Sequence, residues 1–275
     1  MPGLLKGNTE WSHPLITRPD KNFSRRHLIG ISGGAIAGLT LLPSLKSVGA
    51  QTPSTDEAQI IAGDPEAVAL LQQAVQAMTE LETFHFFIET TSGTTNIMDV
   101  LEIGDIEGDV RRPYDFQTTV NASLFMGTID ITAIGIDGKV LIEDPTSSTG
   151  AWIDLGTDAA TLSILNPDYL FLAAVGIVQD AKLGGEEDFE DESARLVTGI
   201  VSFPDVTAQI DTDEFPIPTE LSEEPVEVSV WINEENQILG IEFVGAVLAT
   251  ESANVTRLIT FSAFNEPVEI VEPEM

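Results

Sequence analysis

Residues 134–142 read Ile134-Gly135-Ile136-Asp137-Gly138-Lys139-Val140-Leu141-Ile142, two apolar, β-branched runs joined by Asp-Gly. Asp-Gly is a preferred two-residue hairpin loop because both of its positions take positive φ, which glycine adopts freely and aspartate more readily than most residues. The stretch therefore predicts two sequential antiparallel strands, and the same pattern extends on both sides. Upstream, Phe84, Phe86 and Ile88 alternate with His85, Phe87 and Glu89, and further strand-like runs lie at 97 to 103, 114 to 121 and 124 to 136. Downstream, strands are expected at 194 to 201, 206 to 211, 226 to 233, 237 to 249 and 254 to 264, with Glu234-Glu235-Asn236 joining the third to the fourth. Loops at 184 to 192 and 212 to 225 hold much of the acid and proline, and no repeat of solenoid or propeller spacing is present.

Two helical stretches interrupt this meander. Asp64-Pro65 reads as an N-cap with proline at the first helical position, and Val68, Leu71, Val75, Met78 and Leu81 then fall three or four apart, predicting a helix from 65 to 81. A second stretch spans 159 to 178, broken at Asn166-Pro167; its latter part, Tyr169 to Val178, is apolar on almost every face, which a surface helix would not be. The expected class is α+β: a curved antiparallel half-barrel sheet of roughly ten strands, its concave face covered by an N-terminal helix and a central helical insertion. A sheet that curls around helices without closing can leave an apolar cleft between them.

The chain opens differently. Ser24-Arg25-Arg26-His27-Leu28-Ile29 leads into an apolar run diluted by Gly30, Gly33, Gly34 and Gly38, and Lys46 with Val48-Gly49-Ala50 forms a small-x-small cleavage region. This reads as a twin-arginine export signal, Arg25 and Arg26 being the pair, over residues 1–50, with cleavage between Ala50 and Gln51. A retained transmembrane anchor is the competing reading, weakened by the glycines and Pro43. Residues 51–63 read as a flexible leader, and 64–275 as a single domain. Export through this route moves a protein already folded, and the absence of cysteine agrees, since disulfides form in oxidising compartments. Absent cysteine also excludes a lipidated N-terminal cysteine, a thiol nucleophile and thiolate zinc sites.

From Gln51 onward the chain carries 43 acidic and only six basic residues, a net charge of −37. Such a surface repels nucleic acid and anionic headgroups, and no basic patch offsets it. The acidity suits either a salty medium or solubility. One histidine remains beyond the signal, His85, on a strand and without a Gly-x-Ser-x-Gly elbow anywhere to supply a nucleophilic serine. Close carboxylate pairs are inevitable among 43 acids, but Trp152 and Trp231, the tryptophans beyond the signal, sit in strand patterns rather than as sugar platforms. The acidic runs 186–192 and 211–214 lack the glycine and spaced oxygens of a calcium loop, and Gly184-Gly185 is followed by acids that would repel phosphate. No enzyme activity, metal or cofactor is expected.

The order of elements resembles the LppX/LprG-type (LppX_LprAFG) exported lipid-binding proteins, related in fold to the LolA and LolB lipoprotein carriers. The residues that carry the resemblance are Leu70-Leu71 through Ala74-Val75 to Met78, Phe84-His85-Phe86, Ile106-Glu107-Gly108-Asp109-Val110-Arg111-Arg112-Pro113, Ile136-Asp137-Gly138-Lys139 before Trp152, Leu165-Asn166-Pro167, Val228 to Asn233, and Leu258 to Val268. The likeness runs from about 64 to 272. It implies an apolar cavity for acyl chains of a glycolipid or neutral lipid, lipid transport in the cell envelope, and no catalysis. Many members carry a lipidated cysteine where this chain has Gln51, so a soluble exported carrier is expected, tethered only if the signal is retained.

The expected partners are an acyl lipid and, during export, the twin-arginine translocase; nucleic acid is not among them. Candidate wall residues are Leu71, Val75, Met78, Phe86, Ile88, Leu170, Ala174 and Val178. An exported sensing or interaction module of the same fold, binding a protein partner, is the alternative.

Overall fold

The computed structural model describes residues 63–273 apart from 98–100, 114, 125–126, 137–138, 145–146, 148–149, 156–166 and 209–220. All of these belong to the compact unit Ser54–Met275. The export signal with Arg25 and Arg26, the cleavage site at Ala50 and Gln51, and the leader through 62 lie outside the described residues.

Helix α1, Pro65–Thr79, begins as its sequence requires. The Asp64 carboxylate accepts the Glu66 N–H at 2.9 Å and proline occupies the first turn, where its missing N–H costs nothing. The helix ends two residues before the expected Leu81, at a cap where the Glu80 N–H turns back to the Gln76 carbonyl. Ala67, Leu70, Leu71, Ala74 and Met78 form its buried stripe.

Seven strands follow: β1 (Thr83–Ser92), β2 (Thr95–Ile97), β3 (Leu101–Arg111), β4 (Asp115–Leu124), β5 (Gly127–Ile136), β6 (Lys139–Glu143) and β7 (Trp152–Asp154). Helix α2 (Pro167–Val175) leads to β8 (Gln179–Phe189) and β9 (Glu192–Val201), and a short helix α3 (Phe203–Thr207) precedes β10 (Val226–Ile232), β11 (Ile238–Val244) and β12 (Thr256–Ser262). The twelve strands make one open, curled antiparallel sheet in the order β7-β6-β5-β4-β3-β1-β12-β11-β10-β9-β8, with β2 paired to β3. Ile136 pairs with Lys139, the register of the predicted two-residue hairpin. The chain's first long strand pairs with its last, Phe86 opposite Phe261 and Ile88 opposite Ile259.

One face of this sheet is apolar. Phe84, Phe86 and Ile88 on β1, Phe116, Val120 and Ala122 on β4, and Val226, Val228, Val230 and Ile232 on β10 are buried in a cluster shared with all three helices, while the alternate positions face water.

Three expectations are corrected. The acidic stretch at 184 to 192, read as a loop, is mostly strand: Glu186 to Phe189 pair with Arg195 to Glu192, and Glu190 and Asp191 turn at φ 47° and 72°. The Phe189 ring lies 4.9 Å from the Trp231 ring, over Gly240, and the indole N–H donates to Glu187 at 2.5 Å. Backbone pairing and this aromatic clasp outweigh the charge that argued for a loop. The strand expected at 206 to 211 is preceded and partly replaced by α3, because Pro204 favours a first helical turn and Phe203 and Val206, three apart, bury together; residues 209–211 are outside the described part. The helix expected over 159 to 178 is described as α2 alone, ending at Val175, with 159–166 outside the described residues.

Arg112, in the turn after β3, joins the helices to the sheet. Its Nη1 donates to the carbonyls of Met78 and Leu81, the latter at 2.9 Å, while Nε donates to Asp168 Oδ2 at 2.8 Å and Nη2 to Asp168 Oδ1. The guanidinium also stands 5.3 Å from the Phe84 ring centroid. The end of α1 and the start of α2 thus share one cation, and both side chains of the ion pair are more than four-fifths buried. Removing one partner of such a pair leaves the other charge uncompensated. Arg112→Ala is expected to lower unfolding free energy by about 3 kcal/mol in denaturant titration, with Arg112→Lys recovering only part because an ammonium cannot form the same fork.

Candidate functional site

The eight residues proposed from the sequence come from four places in the chain and meet in one apolar interior. Leu71, Val75 and Met78 lie on successive turns of α1, Phe86 and Ile88 on the inward face of β1, Leu170 and Ala174 one turn apart on α2, and Val178 just before β8. Seven are buried, and Val75, half-buried, packs against the rest. Met78 is held in place by its own backbone and side chain: its carbonyl accepts from Arg112, and its sulfur takes the Ile238 N–H at 3.4 Å.

Two glycines permit the close approaches. Gly108 sits opposite Phe86, and an added Cβ there would stand 3.0 Å from Phe86 Cζ, so the ring lies directly on the β3 backbone. At Gly199 an added Cβ would collide with Val178 Cγ1 and the Gln179 carbonyl, so the segment that joins α2 to β8 lies directly on β9 because that position is bare.

Helix α2 is the element enclosed on most sides. Leu170, Phe171, Leu172, Ala174 and Val175 are all buried, and the Phe171 ring packs 5.5 Å from Phe243 of β11 and 6.4 Å from Phe203 of α3. Phe203 and Phe243 complete the triangle at 5.6 Å.

The polar groups around this interior were not singled out in the sequence. Arg257 on β12 is 6% exposed, and its Nη2 donates to Glu251 Oε1 at 2.5 Å and to Thr95 Oγ1 at 2.7 Å. Glu251 Oε2 in turn accepts the N–H groups of Val247 and Leu248 at 2.8 and 3.0 Å. Burial alone pushes the Glu251 carboxyl up, but the Arg257 charge and the hydrogen bonds from Leu248, Thr95 and Val247 outweigh it and hold the group below its ordinary value of 4.5. The signal for Arg257 was present in the strand pattern: it has the same parity as Ile259 and Phe261, so a charged residue stands at an inward position.

His85 lies on the outward face of β1, directly across the strand pair from Asp109 of β3. Its Nδ1 lies 2.9 Å from Asp109 Oδ1 and its Nε2 3.4 Å from Glu107 Oε1, on the face away from the apolar interior. Among the described residues no group of three or more His, Asp or Glu is arranged to hold a metal ion.

Comparison with known proteins decides the family. The model of the LppX_LprAFG lipoprotein family matches residues 64–270, from the start of α1 to beyond β12. The chain belongs to the LppX_LprAFG lipoprotein family. Within it, the chain is 23% identical over 218 residues to the lipoarabinomannan carrier protein LprG of Mycobacterium leprae, covering 77% of this chain and 84% of that one. It is 22% identical over 222 residues to lipoprotein LprA of Mycobacterium tuberculosis, covering 77% and 83%. Among solved structures, LprF from Mycobacterium bovis superposes with a TM-score of 0.54 at 17% identity, covering 77% of this chain and 99% of that one. LppX of M. tuberculosis gives 0.51 at 17%, covering 76% and 100%. At these identities the two structures establish the fold, and the LppX_LprAFG match accounts for both helices and sheet.

The Glu251 network carries a pH signature. A carboxyl whose folded value is depressed contributes stability that is fully present above 4.5 and is lost as pH falls through the folded value. Glu251→Gln is therefore expected to lower stability at pH 7 by up to about 3 kcal/mol and to narrow its deficit against the parent below pH 4.5, as read by thermal unfolding across pH. A deficit independent of pH would refute the assignment.

Proposed function

We propose that the protein is a non-enzymatic, exported lipid carrier that holds acyl chains of a glycolipid or neutral lipid between the concave face of its sheet and its helices. Membership of the LppX_LprAFG family supports the reading. The observation that carries it is the meeting of Leu71, Val75, Met78, Phe86, Ile88, Leu170, Ala174 and Val178 in one apolar interior built from an open sheet and short helices. Residues 64–275 act as the single lipid-binding domain, and those eight side chains are its walls. Each methylene moved from water into such an interior contributes about 0.8 kcal/mol, so a few turns of chain contact retain a lipid without a charged site. That LprG is named a lipoarabinomannan carrier makes a lipid with a bulky polar head a reasonable cargo class.

The rival, a docking module for a protein partner, calls for an exposed apolar patch. Among the described residues the exposed large apolar side chains are Ile153, Leu183 and Val271, and Ile153 and Leu183 lie on β7 and β8, opposite ends of the strand order. That arrangement favours the carrier.

Organic extraction of the purified protein followed by mass spectrometry is expected to recover acyl lipid, and a fluorescent fatty-acyl probe is expected to bind. Recovery of no lipid together with no probe uptake would sink the carrier reading. Ala174→Trp and Val75→Trp are expected to reduce probe uptake severalfold; Val75 is only half-buried, so that variant tests occlusion with less risk to folding. Unchanged uptake in both would remove α1 and α2 from the walls.

Export is tested separately. No helix among the described residues is long and apolar enough to cross a membrane. We expect Arg25→Lys with Arg26→Lys to leave uncleaved precursor inside the cell, and N-terminal sequencing of the exported parent to begin at Gln51. A mature chain that retains residues 28–45 would instead make the carrier membrane-tethered.

A further inference from the structure

Among the described residues, Nη1 of Arg257 is the buried side-chain polar atom left without a hydrogen-bond partner. Its sister nitrogen is fully engaged with Glu251 and Thr95, so the guanidinium is held rigidly with one donor group unspent. Arginine cannot shed its charge or its protons to relieve the loss. A buried donor without an acceptor is costly, and more so when charged, which means that such a group in a native protein calls for an acceptor.

The position of the donor says where that acceptor comes from. Arg257 shares the inward face of β12 with Ile259 and Phe261, both members of the apolar interior. Directly across the strand pair on one side is Phe243, whose ring packs against Phe171 and Phe203 beneath α2 and α3. Directly across on the other side is Thr90, at the far end of β1 from the Arg112 clamp. Charge says what kind of acceptor it is. Glu251, with its side chain wholly buried, already neutralises the guanidinium, and the surrounding chain from Gln51 carries a net −37 that disfavours anions.

We propose that Arg257 Nη1 anchors an uncharged acceptor oxygen, the ester carbonyl of an acyl lipid, at the end of the apolar interior marked by Thr90, Thr95 and Glu251. This rests on the carrier reading and adds to it a preference for acyl esters over plain hydrocarbon chains. The anchor fixes which end of the lipid meets this part of the fold, since the chains pack among apolar side chains and the carbonyl turns to the unspent Nη1 donor.

The test compares two neutral lipids with the same chains, dioleoylglycerol with two ester carbonyls and the matching dioleylglycerol diether with none. Each displaces a fluorescent acyl probe from the full chain. The parent is expected to bind the diester about tenfold more tightly, the range of one hydrogen bond from a charged donor. In Arg257→Met combined with Glu251→Gln, which removes both charges and keeps an amide oxygen for the Val247 and Leu248 N–H groups, the preference is expected to vanish while the diether affinity stays unchanged. Equal binding of the two lipids by the parent, the outcome if the donor meets only water, would overturn the anchor and leave the carrier reading standing. Dioleoylphosphatidic acid competing better than the diester would overturn the choice of an uncharged acceptor. Binding of neither lipid would overturn the anchor and the carrier reading together.

Discussion

An antiparallel sheet that ends at β7 and β8 without closing on itself keeps a concave apolar face that something else must cover. A closed barrel would bury that face by curvature alone; here α1, α2 and α3 do it. The rest of the structure follows from that need. Helix α2 can be apolar on nearly every side because the sheet, α1 and α3 surround it, and bare backbone at Gly108 and Gly199 lets aromatic and branched side chains come down onto the strands. An interior formed by laying separate helices on a sheet has a seam between its layers. Backbone hydrogen bonds hold each layer, and the layers are held together by side-chain contacts, a few polar ties and the backbone bond from the Asp64 N–H to the Ala181 carbonyl of β8.

Those ties are scarce because cations are scarce. Beyond Gln51 there are six basic residues against 43 acidic ones, a balance that opposes compaction through self-repulsion. Among the described residues, four of the six pair with a carboxylate: Arg111 with Asp115, Arg112 with Asp168, Lys139 with Glu272, and Arg257 with Glu251. The pairs differ in what they do. Lys139 and Glu272 are both about half exposed, where a pair contributes little. Arg112 binds α1 to α2, and Arg257 fixes the segment 247–251 to the inward face of β12. These two tie opposite ends of the central strand pair, one at the start of β1 and the other near its end.

Much of the fold was legible because it rests on local rules. The alternation of Phe84, Phe86 and Ile88 with His85 and Phe87 named the buried face of β1, and Asp64-Pro65 named the start of α1. The eight wall candidates meet in that interior; those on α1 and β1 come from periodic stripes, whereas Leu170, Ala174 and Val178 come from a run that is apolar on almost every face. Misreadings came where distant partners decide the outcome. The acidic run 186–189 is strand because β9 supplies its backbone partners and because Trp231 and Gly240, some forty to fifty residues away, receive Phe189. Likewise Phe203 and Val206 turn into α3, where Phe203 meets Phe171 and Phe243.

By itself, the sequence determined the antiparallel meander, the two principal helices, the acidic composition, and the apolar stripes that must be hidden. Each of these depends on residues close together in the chain or on composition alone. Only the tertiary structure decided that β1 pairs with β12, that Arg112 gathers the ends of α1 and α2, and that Arg257, Glu251 and Thr95 form a buried network with one donor unspent. These contacts join positions up to about 180 residues apart. Whether a charged side chain finds a partner at such a range is decided when the sheet curls and sets its two ends, and no local pattern encodes it.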